Sequence, residues 1–122
     1  MKDIILNFID AINAGDVQKI CSLMAPDHVF IDNIGHRYEG VPLMRSGWSA
    51  YFESFPDYKI EISEIFERDK EFVLLGRASA SFKGEKVKCW SIPAAWKVII
   101  EKGKVRCWQV FADTKVQFDT MS

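Results

Sequence analysis

The stretch VFIDNIGHRYEG, residues 29–40, gathers the side chains best suited to chemistry. A run of strand-forming residues ends on a carboxylate, Asp32, and His36, Arg37 and Tyr38 follow at once. A carboxylate at the mouth of an apolar pocket becomes a stronger base through desolvation and can take a proton from carbon or from water. The pair Asp32-Asn33 can equally open a turn, the carboxylate accepting from nearby backbone N–H groups. Both readings stand on these residues. His36, Arg37 and Tyr38 either fold over a pocket mouth or are solvated. His28 shares strand parity with Asp32, but four residues of strand span roughly 13 Å. A metal shared by the two is therefore not expected, and His28 is placed at the surface or a sheet edge.

Other chemistries lack their residues. No Cys or His pair has zinc-ligand spacing, and no nucleophile elbow, phosphate loop or dinucleotide motif occurs. No metal and no cofactor are expected. The cysteines, Cys21, Cys89 and Cys107, sit among apolar neighbours that disfavour a thiolate. Their odd number without paired spacing suggests reduced thiols in a cytoplasmic protein. Sixteen Lys and Arg against seventeen Asp and Glu leave a net charge of −1, without the basic stripe of a nucleic-acid binder. No apolar run approaches the ~20 residues of a membrane span. The N-terminal segment lacks the pattern of a signal peptide. Neither nucleic acid nor membrane is expected as a partner.

The elements that must position Asp32 are legible in the periodicity. Ile5, Phe8, Ile9 and Ile12 make residues 3–14 an amphipathic helix, closed at Ala14-Gly15. Asp16 caps a second helix, 17–25, stopped at Pro26. Residues 28–32 form a short strand. Met44, Trp48, Tyr51, Phe52 and Phe55 stripe a third helix, 41–54, with Pro42 in its first turn. From Tyr58 the period becomes two. FERDKEF, 66–72, is read as a hairpin loop, and strands follow to residue 112, one of them broken near Pro93. Helices first and strands afterwards predict a single α+β domain over residues 1–122 with a mostly antiparallel sheet, neighbours pairing in order. Gly76, Ala78 and Ala80 share a strand face. They either leave volume beneath the helices or let the helices pack closely.

FIDAINAGDVQKICSLMAPDHVFIDNIGHRYEG resembles the ketosteroid isomerase and SnoaL-like branch of the nuclear transport factor 2-like superfamily. The carrying residues are INAGD between helices, FIDNIG, and Gly40 opening the third helix. The element order matches to the C-terminus, including EKGKV before the last strand. The resemblance implies a conical barrel of three helices on a strongly curved sheet, a deep apolar pocket, and a homodimer through the outer sheet face. It places the catalytic base on Asp32. Ketosteroid isomerases pair that base with an oxyanion hole of a tyrosine and a protonated aspartic acid. Those two positions fall here on Phe8 and Ala95, neither of which can donate. Losing one such donor can cost ~100–1,000-fold in rate, so steroid isomerisation is not expected. Trp48 replaces a pocket tyrosine and is the foremost substitute donor, beside Tyr51 and His36. SnoaL-like cyclases direct attention to Asp113, although strand parity turns it away from Trp108 unless a bulge intervenes. The implied pocket lining is Phe8, Trp48, Tyr51, Phe52, Ala78, Ala80, Phe82, Ala95 and Trp108. With Ala95 inward, Trp90 and Trp96 fall on the outer face as dimer contacts and Lys97 on the pocket side.

Three functions follow. The first is a cofactor-free isomerase, cyclase, dehydratase or hydrolase on a small apolar substrate, with Asp32 as base. The second is a hydrophobic-ligand binder with the same pocket and no turnover. The third is a dimerisation module whose apolar sheet face is its purpose.

Overall fold

The computed structural model describes residues 1–121. The chain runs α1 (Lys2–Asn13), α2 (Val17–Ser22), β1 (Met24–Ile31), β2 (Arg37–Glu39), α3 (Val41–Ser54), β3 (Lys59–Arg68), β4 (Glu71–Ser81), β5 (Cys89–Glu101), β6 (Lys104–Phe111) and α4 (Lys115–Asp119). Two short 3₁₀ turns lie between β4 and β5. This is the expected α+β architecture: helices against one mostly antiparallel sheet, in the order β2-β1-β6-β5-β4-β3.

Strands β3 to β6 pair in chain order, as short connections require. β1 then lies parallel beside β6, and β2 folds back on β1. This places the end of β1, and hence Asp32, beside the end of β6: Phe30 is opposite Trp108 and Ile31 opposite Gln109.

α1 buries Ile5, Phe8, Ile9, Ala11 and Ile12, the face set by its period. Its end is fixed by Asn13, whose side-chain amide donates to the Ile60 carbonyl (3.0 Å) while its oxygen accepts from the Ile60 N–H (2.8 Å). Asn13 thus acts as one residue of an added strand on the free edge of β3. Asp16 caps α2 through the Lys19 N–H at 3.0 Å.

Gly76 sits opposite an irregularity of the β3–β4 ladder. Its partner strand β3 shifts register between Ile62 and Glu64, and a Cβ at Gly76 would overlap the Glu61 carbonyl oxygen. Gly76 therefore permits close strand approach, while Ala78 and Ala80 face the interior.

Several boundaries differ from the sequence reading. α2 ends at Ser22, before Pro26, because Met24–Ile31 already runs as strand beside β6. The FERDKEF segment is mostly ladder, with Phe66, Glu67 and Arg68 paired to Val73, Phe72 and Glu71. Only Asp69 and Lys70 form the turn, Asp69 at positive φ (57°). The short elements β2 and α4 were not foreseen; three and five residues carry too little periodicity to register.

His28 is buried (1% exposed) instead of lying at the surface or a sheet edge, because β1 runs between β2 and β6 and Phe8 of α1 stands beside the ring. Its ring is 6.4 Å from that of Phe8. Its Nδ1 lies 2.7 Å from the Val105 carbonyl oxygen, so Nδ1–H donates. Burial pushes its pKa below the ordinary value, although the Val105 bond and Asp27 act the other way.

Candidate small-molecule site

A cavity of about 680 Å³ opens between α3, α4 and the concave face of the sheet. That volume suits a drug-sized ligand. Its walls follow from strand alternation. β5 sends Trp90, Ile92, Ala94 and Trp96 inward, and β6 sends Trp108 and Val110. From α3 come Met44, Trp48 and Tyr51, spaced by a helical turn. The loop after α3 adds Phe55 and Tyr58, α4 adds Gln117 and Phe118, and Met121 just beyond α4 completes the opening. All four tryptophans of the chain line the cavity.

The aromatic walls pack by edge and tilt. Tyr51 meets Tyr58 at 4.9 Å and 85°, and Phe55 meets Trp90 at 5.6 Å and 87°. Such pairs stabilise beyond the area they bury. The N–H groups of Trp48, Trp90 and Trp96 have no hydrogen-bond partner and almost no accessible surface. Their polar edges are turned into the wall, so Trp48 presents no open donor to the cavity.

Tyr51 is better placed. Its hydroxyl accepts from Gln117 Nε2 at 2.9 Å, which leaves its own proton free to donate. Burial pushes its pKa far above the usual tyrosine value, against the lowering effect of the Gln117 bond, so the phenol stays protonated. The buried Tyr58 hydroxyl is shifted the same way, by burial and then by Tyr51.

At the rim stands Asp32. Its Oδ1 accepts from the backbone N–H of Ile34 (3.1 Å) and of His36 (2.9 Å), the bonds of a turn. Gly35, at φ 85°, lets the loop close. Oδ2 accepts from the Tyr38 hydroxyl at 3.2 Å. That bond, with burial and the carboxylate charge behind it, raises the Tyr38 pKa and keeps it a donor. The turn reading of Asp32 therefore holds through Oδ1, and the residue also lines the cavity, with its side chain 22% exposed. The loop is tied to the chain before α4 by Asn33 Nδ2, which donates to Thr114 Oγ1 at 3.0 Å.

Other residues of the sequence reading fall elsewhere. His36 is exposed, its Nδ1 3.9 Å from Asp32 Oδ2, and it is not part of the cavity wall. Asp113 is exposed and accepts from the Lys115 N–H at 3.0 Å, leading into α4; no bulge in β6 redirects it. Phe8 is fully buried behind Trp108, with ring centroids 5.0 Å apart. Phe52 stacks on Trp48 at 5.5 Å from outside the wall. Ala80 is buried opposite Trp90 in the ladder, and Phe82 leaves the sheet to pack on Phe55; neither lines the cavity. Ala78, Trp48, Tyr51 and Trp108 do line it.

The parity of β5 is the main correction. Trp90 and Trp96 are 4% and 1% exposed and face inward, while Ala95 lies on the opposite face between Leu75 and Phe111. Lys97 is also outside, 3.3 Å from Glu71. Pro93 pairs with Arg77 without a register break, so parity never reverses before Ile99. The even positions carry the large apolar side chains, and burying them outweighs the alternative.

Among the described residues no group of His, Cys, Asp and Glu is arranged to hold a metal ion. No helix is long and apolar enough to cross a membrane. The three cysteines are free; burial raises the pKa of Cys21 and of Cys107, holding both as thiols.

A curved sheet closed by helices around an aromatic cavity defines a conical α+β barrel of the nuclear transport factor 2-like type. Residues 5–108 match the SnoaL-like domain, and the chain belongs to that family. A Shewanella denitrificans protein provisionally named a SnoaL-like polyketide cyclase superposes with a TM-score of 0.84 at 17% identity, over 98% of this chain and 95% of its own. A Catenulispora acidiphila protein with a ketosteroid isomerase-like fold, in complex with trimethylamine, gives 0.80 at 14% identity over 89% and 84%. TerC, co-crystallised with polyporic acid, gives 0.83 at 16% identity over 99% and 98%. At these identities the likeness is one of fold. No curated protein is significantly similar to it in sequence.

Proposed function

We propose that this protein binds a small, largely apolar molecule in the cavity and carries out cofactor-free acid–base chemistry on it. Asp32 is the base and Tyr51 the donor that polarises the substrate. The supporting observation is that, among the described residues, Asp32 is the only charged side chain lining a mostly aromatic and aliphatic cavity. Tyr51, oriented by Gln117, supplies the open hydroxyl that Phe8 and Ala95 cannot. Isomerisation, cyclisation, dehydration and hydrolysis all use this pair, and the free thiols fit a reducing, cytoplasmic setting.

The test is Asp32→Asn against a turned-over substrate. The expected result is loss of turnover with binding of a neutral apolar ligand retained; unchanged turnover removes Asp32 from the mechanism.

A second reading, binding without turnover, is favoured by one observation. Both inherited oxyanion positions point away from the cavity, Phe8 into the core and Ala95 to the outer face. Equal affinity for a neutral apolar ligand in wild type and Asp32→Asn, with no substrate consumed by either, supports it.

The outer face is proposed as a homodimer surface, with other residues than the tryptophans. Leu75, Ala95 and Phe111 are neighbours across three strands, and Val73 lies beside Lys97 at the edge of the same patch. Phe111 and Val73 are 53% and 41% exposed.

A further inference from the structure

We infer that the cavity selects an organic cation, a small ammonium carried on an apolar body, over neutral and anionic molecules of the same shape. This inference rests on the reading of the cavity as the ligand site and names the class of molecule it takes.

The first ground is charge. Among the described residues no Lys, Arg or His lines the cavity, and Asp32 is its only formal charge. A carboxylate or phosphate entering would lose water and meet no cation, whereas an ammonium would meet a fixed counter-ion. In a partly enclosed apolar site that difference is larger than in water.

The second ground is the unused valence of Asp32. A carboxylate offers about four lone-pair sites. Two on Oδ1 are taken by Ile34 and His36 N–H groups and one on Oδ2 by Tyr38. The remaining site is on Oδ2. The nearest basic side chain is His36, its Nδ1 3.9 Å away and its side chain 68% exposed. Arg37, the next cation along the chain, is 3.6 Å from Glu39.

The third ground is what the walls present. Ten of the lining residues are Phe, Tyr or Trp. Since the N–H edges of Trp48, Trp90 and Trp96 are sealed in the wall, what these indoles offer the cavity is ring carbon. Aromatic faces carry negative charge density and attract ammonium groups, Trp most strongly. A neutral acceptor gains nothing from those sealed edges.

The experiment uses three probes of one shape: benzyltrimethylammonium, its neutral carbon isostere neopentylbenzene, and benzylsulfonate. Binding is read by tryptophan fluorescence, which reports on the cavity because all four tryptophans line it. The expected order is ammonium tighter than hydrocarbon by about tenfold or more, with the sulfonate weakest. In Asp32→Asn the ammonium advantage should shrink severalfold while neopentylbenzene binds as before. Equal affinity for ammonium and hydrocarbon, or tighter sulfonate, overturns the cation inference and leaves the cavity reading intact. Binding of none of the three sinks both. An ammonium preference unchanged in Asp32→Asn and Asp32→Ala, both folded by circular dichroism, removes Asp32 from it.

Discussion

Gln117 of α4 donates to the Tyr51 hydroxyl of α3 at 2.9 Å, joining the last helix to the wall of the cavity. Gln117 is 6% exposed although α4 is only five residues long. So short a helix is unstable alone. This bond and Asn33–Thr114 are the polar ties that hold it over the opening. Tyr51→Phe should therefore destabilise the fold by about 1–3 kcal/mol, since it leaves a buried amide without its partner. Adding Gln117→Leu should recover part of the loss, because removing both polar groups is cheaper than orphaning one. A double-mutant cycle by urea denaturation measures it; additive losses would mean that the pair is not coupled.

Asp32→Asn should fold nearly as well as wild type. The Asn carbonyl oxygen can replace Oδ1 as acceptor for the Ile34 and His36 N–H groups. Asp32→Ala removes that acceptor and should cost about 1–3 kcal/mol. Thermal melts of the two variants compare them directly, and a larger loss in Asp32→Asn than in Asp32→Ala would contradict the loop-building role of Oδ1.

Stability should fall below about pH 6.5 through His28. Burial depresses its folded-state pKa, so in this window the unfolded chain binds a proton that the folded chain does not. The contribution is complete above the unfolded value near 6.5 and is lost as pH drops toward the folded one, at up to about 1.4 kcal/mol per pH unit. His28→Asn retains a donor for the Val105 carbonyl and should flatten this step. Denaturation midpoints at about pH 7.5 and about pH 5.5 in wild type and His28→Asn would show it.

Gly76→Ala should destabilise by about 1–3 kcal/mol or more, since the new methyl group meets the backbone of Glu61 and Ile62 and no flexible side chain. Ala78→Gly, on the same strand face, should cost less, losing only a small buried methyl group and adding chain entropy. Chemical denaturation ranks the two; the reverse order would contradict the close strand approach at Gly76.

β5 parity gives opposite outcomes at adjacent positions. Trp96→Glu places a charge in the core and should abolish folding or expose the core to dyes. Ala95→Glu should leave a folded protein and, where the outer patch joins two copies, shift it to monomer in sedimentation. A folded Trp96→Glu would reverse the assignment of the faces.

What the residues alone determined is the type and order of the large elements. The i, i+3, i+4 stripe of α1, the stripe of α3 and the period-two run from Tyr58 record which side of each element must leave water, and that requirement is local. Gly40 and Pro42 marked the start of α3 for similarly local reasons. Asp32 at the end of β1 was also legible, as was the turn it opens. What only the tertiary structure decided is which strand face looks inward. Alternation separates two faces but gives them no sign. In β5 the sign came from closing the sheet around Trp90 and Trp96, whereas residue-by-residue transfer of the oxyanion position to Ala95 assigned the opposite one. The sealing of the indole N–H groups, the burial of His28 beside Phe8 of α1 and the Gln117–Tyr51 bond are likewise long-range. They join residues from separate elements, and no window of sequence contains both partners.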